Sequence, residues 1–167
     1  MQIDRSTGAG TRLMPAAVAL LIVVTACQAC PDFMAGVVAY ERGDYATALT
    51  EFRPLAQQGN AKAQHNLGFM YFEGRGVPQD DAEAVRWFRR AAEQGDADAQ
   101  YNLGLMYAEG DGVPPDYVQA FMWFNLASLQ GYEKANKNRD IAAEKMSSEQ
   151  IAEAQRMARE WLEAHPQ

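Results

Sequence analysis

Apolar residues along most of this chain recur at spacings of three and four, the pattern of helices that each bury one face. In residues 60–73, Leu67, Met70 and Tyr71 fall on one such face around an interior Gly68. Gly74 and Gly76 then stop the helix, because glycine tolerates the left-handed conformation that a C-terminal cap needs. Val77-Pro78 stiffens the corner, and Asp80 stands where it can cap a following helix. That second helix carries Ala84, Val85, Trp87, Phe88 and Ala91 as its apolar face. Asp81 and Glu83 open it and Arg89 and Arg90 close it, in the sense that complements the helix dipole. Gln94-Gly95 ends it.

The same punctuation returns 36 residues later at Gly110, Gly112, Val113, Pro114, Asp116, Trp123 and Gly131. Between residues 63–96 and 99–132, 19 of 34 positions are identical. A third, diverged copy lies upstream, where Ala48, Phe52, Ala56, Gln58 and Gly59 keep the offset to Ala84, Phe88, Ala92, Gln94 and Gly95. Its internal loop, Glu41-Arg42-Gly43-Asp44-Tyr45, is four residues shorter. The repeats are predicted at 32–59, 60–95 and 96–131. An interior glycine costs a helix about 1 kcal/mol against alanine. Its recurrence at Gly68 and Gly104 therefore predicts a neighbouring helix too close for a side chain.

The motif AQxNLGxMYxEGxGVPxD…A…WF…A…QG resembles the Sel1-like repeat family, a branch of the tetratricopeptide-like α-solenoids. The first copy, with Gly36, Tyr40, Gly43-Asp44-Tyr45 and Ala48, looks more like a plain tetratricopeptide unit. The fold class expected is all-α: a short right-handed α-solenoid of about three antiparallel helix pairs with a C-terminal helical cap. Residues 132–167 supply that cap, since a solenoid needs its last repeat covered. Ala135, Ile141, Ala142 and Met146 mark one helix. Ser147 with Gln150 forms a capping box for a second, whose apolar face is Ile151, Ala154, Met157, Ala158, Trp161 and Leu162.

The N-terminal segment reads differently. Residues 13–24 are a charge-free apolar run of 12, the length of a secretory signal core and short for a bilayer span of roughly 20 residues. Residues 1–26 are expected to be a signal peptide, followed by a linker at 27–31. Val24-Thr25-Ala26-Cys27 also resembles a bacterial lipobox, which makes Cys27 the candidate lipidation site and an outer membrane the destination. Cleavage to a soluble periplasmic protein and retention as an uncleaved anchor are the alternatives. Cys27 and Cys30 are the sole cysteines; they lack the strand–helix context of a redox pair and the further ligands of a zinc site.

A formal net charge of −7, or −8 without residues 1–26, excludes a general nucleic-acid binder, because no basic excess is available to neutralise phosphates. No nucleophile elbow, Ser-x-x-Lys, phosphate loop or His-Glu-x-x-His occurs, so no catalytic residue, metal site or cofactor is expected. Asp80 and Asp116 are read as helix caps rather than as a carboxylate pair, Trp87 and Trp123 as core, and His165 as an idle tail residue.

The resemblance implies that the first helices of successive repeats line a concave surface. Matched to that pattern, Phe33, Val37 and Tyr40 point into it from repeat one, and Lys62, His65, Phe69 and Phe72 from repeat two. Asp98, Tyr101, Leu105 and Ala108 follow from repeat three. Repeats two and three diverge at these positions while their packing positions stay fixed. Aromatic and aliphatic residues on a charged surface point to a binding site for a protein or peptide. The function expected is a monomeric, non-catalytic adaptor of the cell envelope. Two alternatives stand beside it: a β-lactam-binding or weakly hydrolytic enzyme, as in cysteine-rich relatives, and a secreted binder of a host protein.

Overall fold

The structure, a computed structural model, describes residues 31–166; the segment read as a signal peptide, with Cys27 and Cys30, lies outside the described residues. Among the described residues the chain forms eight helices and no strand. They are α1 (Phe33–Glu41), α2 (Tyr45–Gln57), α3 (Ala61–Glu73), α4 (Asp81–Glu93), α5 (Ala97–Glu109), α6 (Tyr117–Leu129), α7 (Glu133–Ala143) and α8 (Ser148–Ala164). Each helix from α1 to α6 packs on the next in sequence, and α8 packs on α6. This is an α-solenoid: α1–α2, α3–α4 and α5–α6 are its helix pairs, and α7 and α8 cover its end. None of the described helices is long and apolar enough to cross a membrane.

Capping side chains set the boundaries. Asp32, Asp44, Asn60, Asp80, Asp96, Asp116 and Ser147 each accept a hydrogen bond from a backbone N–H in the first turn of the helix they precede. Gly74 and Gly110, at φ 68° and 85°, close α3 and α5 in the left-handed region. Ser147 and Gln150 form the reciprocal capping box at α8.

The core follows the repeat. Phe52, Phe88 and Phe124 are buried, each from the second helix of a pair. They press on Gly36, Gly68 and Gly104 of the first helices, where a Cβ would stand 2.6, 2.9 and 2.7 Å from the nearest ring atom. The interior glycines are there because these rings are. Buried amides tie the pairs together: Gln64 Nε2 donates to the Ala56 carbonyl at 3.0 Å, and Gln94 Nε2 donates to Gln64 Oε1 at 2.6 Å. Gln100 does the same between the Ala92 carbonyl and Gln130. Trp87 and Trp123 are core residues, although neither indole N–H has a hydrogen-bond partner. Leu162, expected on the apolar face of α8, is 37% exposed at the open end of that helix. His165 is not idle: its ring stacks on Trp161 at 4.3 Å, and its Nδ1 lies 2.8 Å from the Trp161 carbonyl oxygen, closing the helix.

Candidate functional site

The first helix of each pair presents a second row of side chains beside the one that packs inward. Three adjoining cavities lie along that row. The first, about 460 Å³, is lined by Phe33, Val37, Tyr40 and Glu41 of α1, Phe52, and His65, Asn66 and Phe69 of α3. The second, about 50 Å³, continues from Phe69 and Phe72 to Asn102, Leu105 and Glu109 of α5. The third, about 350 Å³, runs from Leu105, Ala108 and Glu109 to Asn138, Ile141 and Lys145. Phe69 is shared by the first two, and Leu105 and Glu109 by the last two, so the three form one groove.

Eight of the eleven expected residues lie on it: Phe33, Val37, Tyr40, His65, Phe69, Phe72, Leu105 and Ala108. All eight are half-buried. Lys62 and Asp98 are exposed in the first turns of α3 and α5 and line none of the three cavities. Tyr101 is engaged in packing: its ring stacks on Tyr132 at 4.7 Å, and its hydroxyl accepts from Asn138 Nδ2 at 3.0 Å.

Sequence reasoning missed the contribution of α7. Ala135, Asn138, Ile141 and Ala142 fall 36 residues after Ala99, Asn102, Leu105 and Met106, so α7 keeps the register of a first helix and adds a fourth strip to the groove. Ile141, expected to pack, is 47% exposed there. The recurrence of asparagine at 66, 102 and 138 was the available signal.

Those asparagines make a lateral ladder. Asn102 Nδ2 lies 3.0 Å from His65 Nε2, which accepts when the ring proton is on Nδ1. Asn138 Nδ2 reaches Tyr101 in the same way. Beneath the ladder, Phe33, His65 and Tyr101 lie against the rings of Phe52, Phe88 and Phe124 at centroid distances of 5.7, 5.7 and 5.8 Å.

Charge sits at the C-terminal end of the first helices. Glu41, Glu73 and Glu109 occupy equivalent places, and Lys145 takes the fourth. Glu73 is neutralised by Arg75, whose Nε lies 2.9 Å from its carboxylate. Tyr40 joins this pair: its hydroxyl donates to Glu73 at 3.0 Å and accepts from Arg75 Nη1 at 2.8 Å. Arg75 also lies over the rings of Tyr40 and Tyr45 at 5.4 and 5.5 Å. Burial, reinforced by the Glu73 carboxylate, pushes the Tyr40 hydroxyl up to about 12, so it stays neutral under all ordinary conditions. Among the described residues, no group of three or more His, Cys, Asp or Glu side chains comes together to hold a metal ion.

The repeat geometry has counterparts. The Sel1 repeat family model matches residues 61–96 and 97–132. A protective antigen of uropathogenic Escherichia coli with an SLR fold superposes with a TM-score of 0.73 at 36% identity, over 77% of this chain and 28% of that one. A Sel1 repeat protein from Oxalobacter formigenes gives 0.62 at 35% identity, over 65% of this chain and 44% of its own. The chain thus spans less than half the length of either relative. No curated protein matches it. By its internal period, its glycine–phenylalanine contacts and these likenesses together, the chain carries two Sel1 repeats, α3–α4 and α5–α6, within an α-solenoid of the Sel1-repeat kind.

Proposed function

We propose that this chain is a non-catalytic scaffold that holds a protein or peptide partner in the groove along α1, α3, α5 and α7. Sel1-repeat folds generally serve as protein–protein interaction scaffolds. The observation that carries the assignment is the continuity of the three cavities across four helices, with apolar walls and a polar edge. A partner's side chains find pockets between successive first helices, while the amides and carboxylates of the edge fix its register. Within the first helices, residues 63–73 and 99–109 differ at three positions, all on this row: His65 against Tyr101, Phe69 against Leu105, Phe72 against Ala108. Under uniform packing pressure these positions would match as closely as Leu67 and Leu103 do.

Export to the cell envelope, with Cys27 as a lipid-anchored first residue, completes the proposal. It rests on the apolar run at 13–24 and the Val24-Thr25-Ala26-Cys27 sequence. The mass of the mature N-terminus tests it: a diacylglyceryl-modified Cys27 is expected, and an unprocessed Met1 terminus would contradict it.

Capture from detergent-solubilised envelope extract tests the groove. Wild type is compared with a Phe69→Glu, Ile141→Glu double variant whose helix content and melting are checked by circular dichroism. The folded variant is expected to lose the protein that wild type enriches. Equal capture by both would remove the groove from the account.

A further inference from the structure

The ladder along the groove has one incomplete rung. Asn102 pairs with His65 and Asn138 with Tyr101 across neighbouring first helices. At the equivalent place on α1 stands Phe33, which offers no acceptor, and among the described residues the Asn66 amide has no partner. Asn66 lines the largest of the three cavities, together with Glu41. Of the two glutamates at this end, Glu73 is matched by Arg75, and Arg75 is held over the Tyr40 and Tyr45 rings. Glu41 forms no ion pair among the described residues. The cavity therefore offers apolar walls, one amide and one uncompensated carboxylate in a chain of net charge −7.

Those features fit one kind of side chain. A long aliphatic stem needs the apolar walls, and a cationic head needs a carboxylate and a carbonyl oxygen, which charge-assisted hydrogen bonds reward. Resting on the groove as the partner site, we propose that the α1–α3 cavity takes a lysine or arginine side chain from the docked segment. Its methylenes lie along Val37 and Phe69, and its head reaches Glu41 and the Asn66 Oδ1. The acidic charge of the chain as a whole steers such a segment inward. The next cavity repeats the theme with Glu109 and Asp111 at its edge, whereas at the third Lys145 offsets the Glu109 charge. The segment is thus basic and apolar over α1 to α5.

A random nine-residue peptide library displayed on phage, panned against the full chain and sequenced, tests this. The selected peptides are expected to show lysine or arginine enriched about tenfold at one position beside apolar residues, the scale of a charge-assisted bond. Glu41→Gln should abolish that enrichment while leaving the apolar selection, and Glu41→Lys should replace it by aspartate or glutamate. Both substitutions are on an exposed residue and leave the core untouched. Selection that depends on Phe69 and Ile141 but shows no basic preference, or one unchanged by Glu41→Lys, overturns the cavity assignment and leaves the groove standing. No selection that depends on Phe69 and Ile141 overturns both.

Discussion

The third repeat and the pair that follows it share a register and differ in nearly everything that defines the repeat. In α5, Gly104 admits the Phe124 ring and Gln100 is buried between two helices. Thirty-six residues on, α7 has Asp140 and Asn136 at those places, both exposed. Tyr132, the residue that precedes it, provides no side-chain cap, where Asp96 caps α5. The cause is the path of α8, which packs on α6 instead of folding back over α7. With no ring descending on α7, a glycine there has no purpose. What survives is the groove face, at Asn138 and Ile141. The repeat motif is thus a packing code, and the groove is a separate inheritance that persists after the code is gone.

The largest expected effect separates the two regions by burial. Trp123→Ala should cost about 3–5 kcal/mol in urea unfolding, and Trp161→Ala clearly less, because Trp161 is only half-buried. Because the Trp123 indole N–H is unpartnered, Trp123→Phe should recover most of the loss. Gly104→Ala should cost about 1–3 kcal/mol by pushing on Phe124, while Asp140→Ala should be neutral or slightly stabilising. An equal cost at both positions would mean that α8 packs over α7 in solution. Gln100→Ala should cost about 1–3 kcal/mol by orphaning buried partners, and Asn136→Ala should stay within about 0.5 kcal/mol of wild type.

The smallest effect concerns the other end of the array. Because the Tyr40 hydroxyl is raised to about 12 in the folded chain, the unfolded chain loses that proton first, near the ordinary value of 10. The contribution is therefore complete below pH 10 and is lost as the pH rises through 12. Unfolding midpoints taken between pH 9 and 12 should fall more steeply for wild type than for Tyr40→Phe. Parallel curves would show that Tyr40 titrates alike in both states.

Much of this was legible in the residues because the repeat states each packing rule twice. Gly68 and Gly104 announced the approach of Phe88 and Phe124, and Asp80, Asp116 and Ser147 announced their helices. Eight of the groove residues could be placed on one row by matching the glycine, tyrosine and aspartate landmarks to the pattern that the family resemblance implies. The role of α7 was hidden because its register rests on alanines, one asparagine and one isoleucine, types that fit any amphipathic helix. Tyr101 was hidden for a different reason. Its position is a groove position, and only the arrival of Tyr132 and Asn138 from the next helix turns it into packing. Lys62 and Asp98 share the helix face but lie one turn before the cavities begin.

The central claim is that partners dock along the first helices and not on the outer surface. Photo-crosslinking in living cells measures this most directly, with p-benzoylphenylalanine placed singly at Val37, Asn102 and Ile141 in the groove and at Arg53 and Arg86 on the second helices. The account predicts one shared adduct from the three groove positions and none from the two arginine positions. An adduct from Arg53 or Arg86 with the groove positions silent would contradict it.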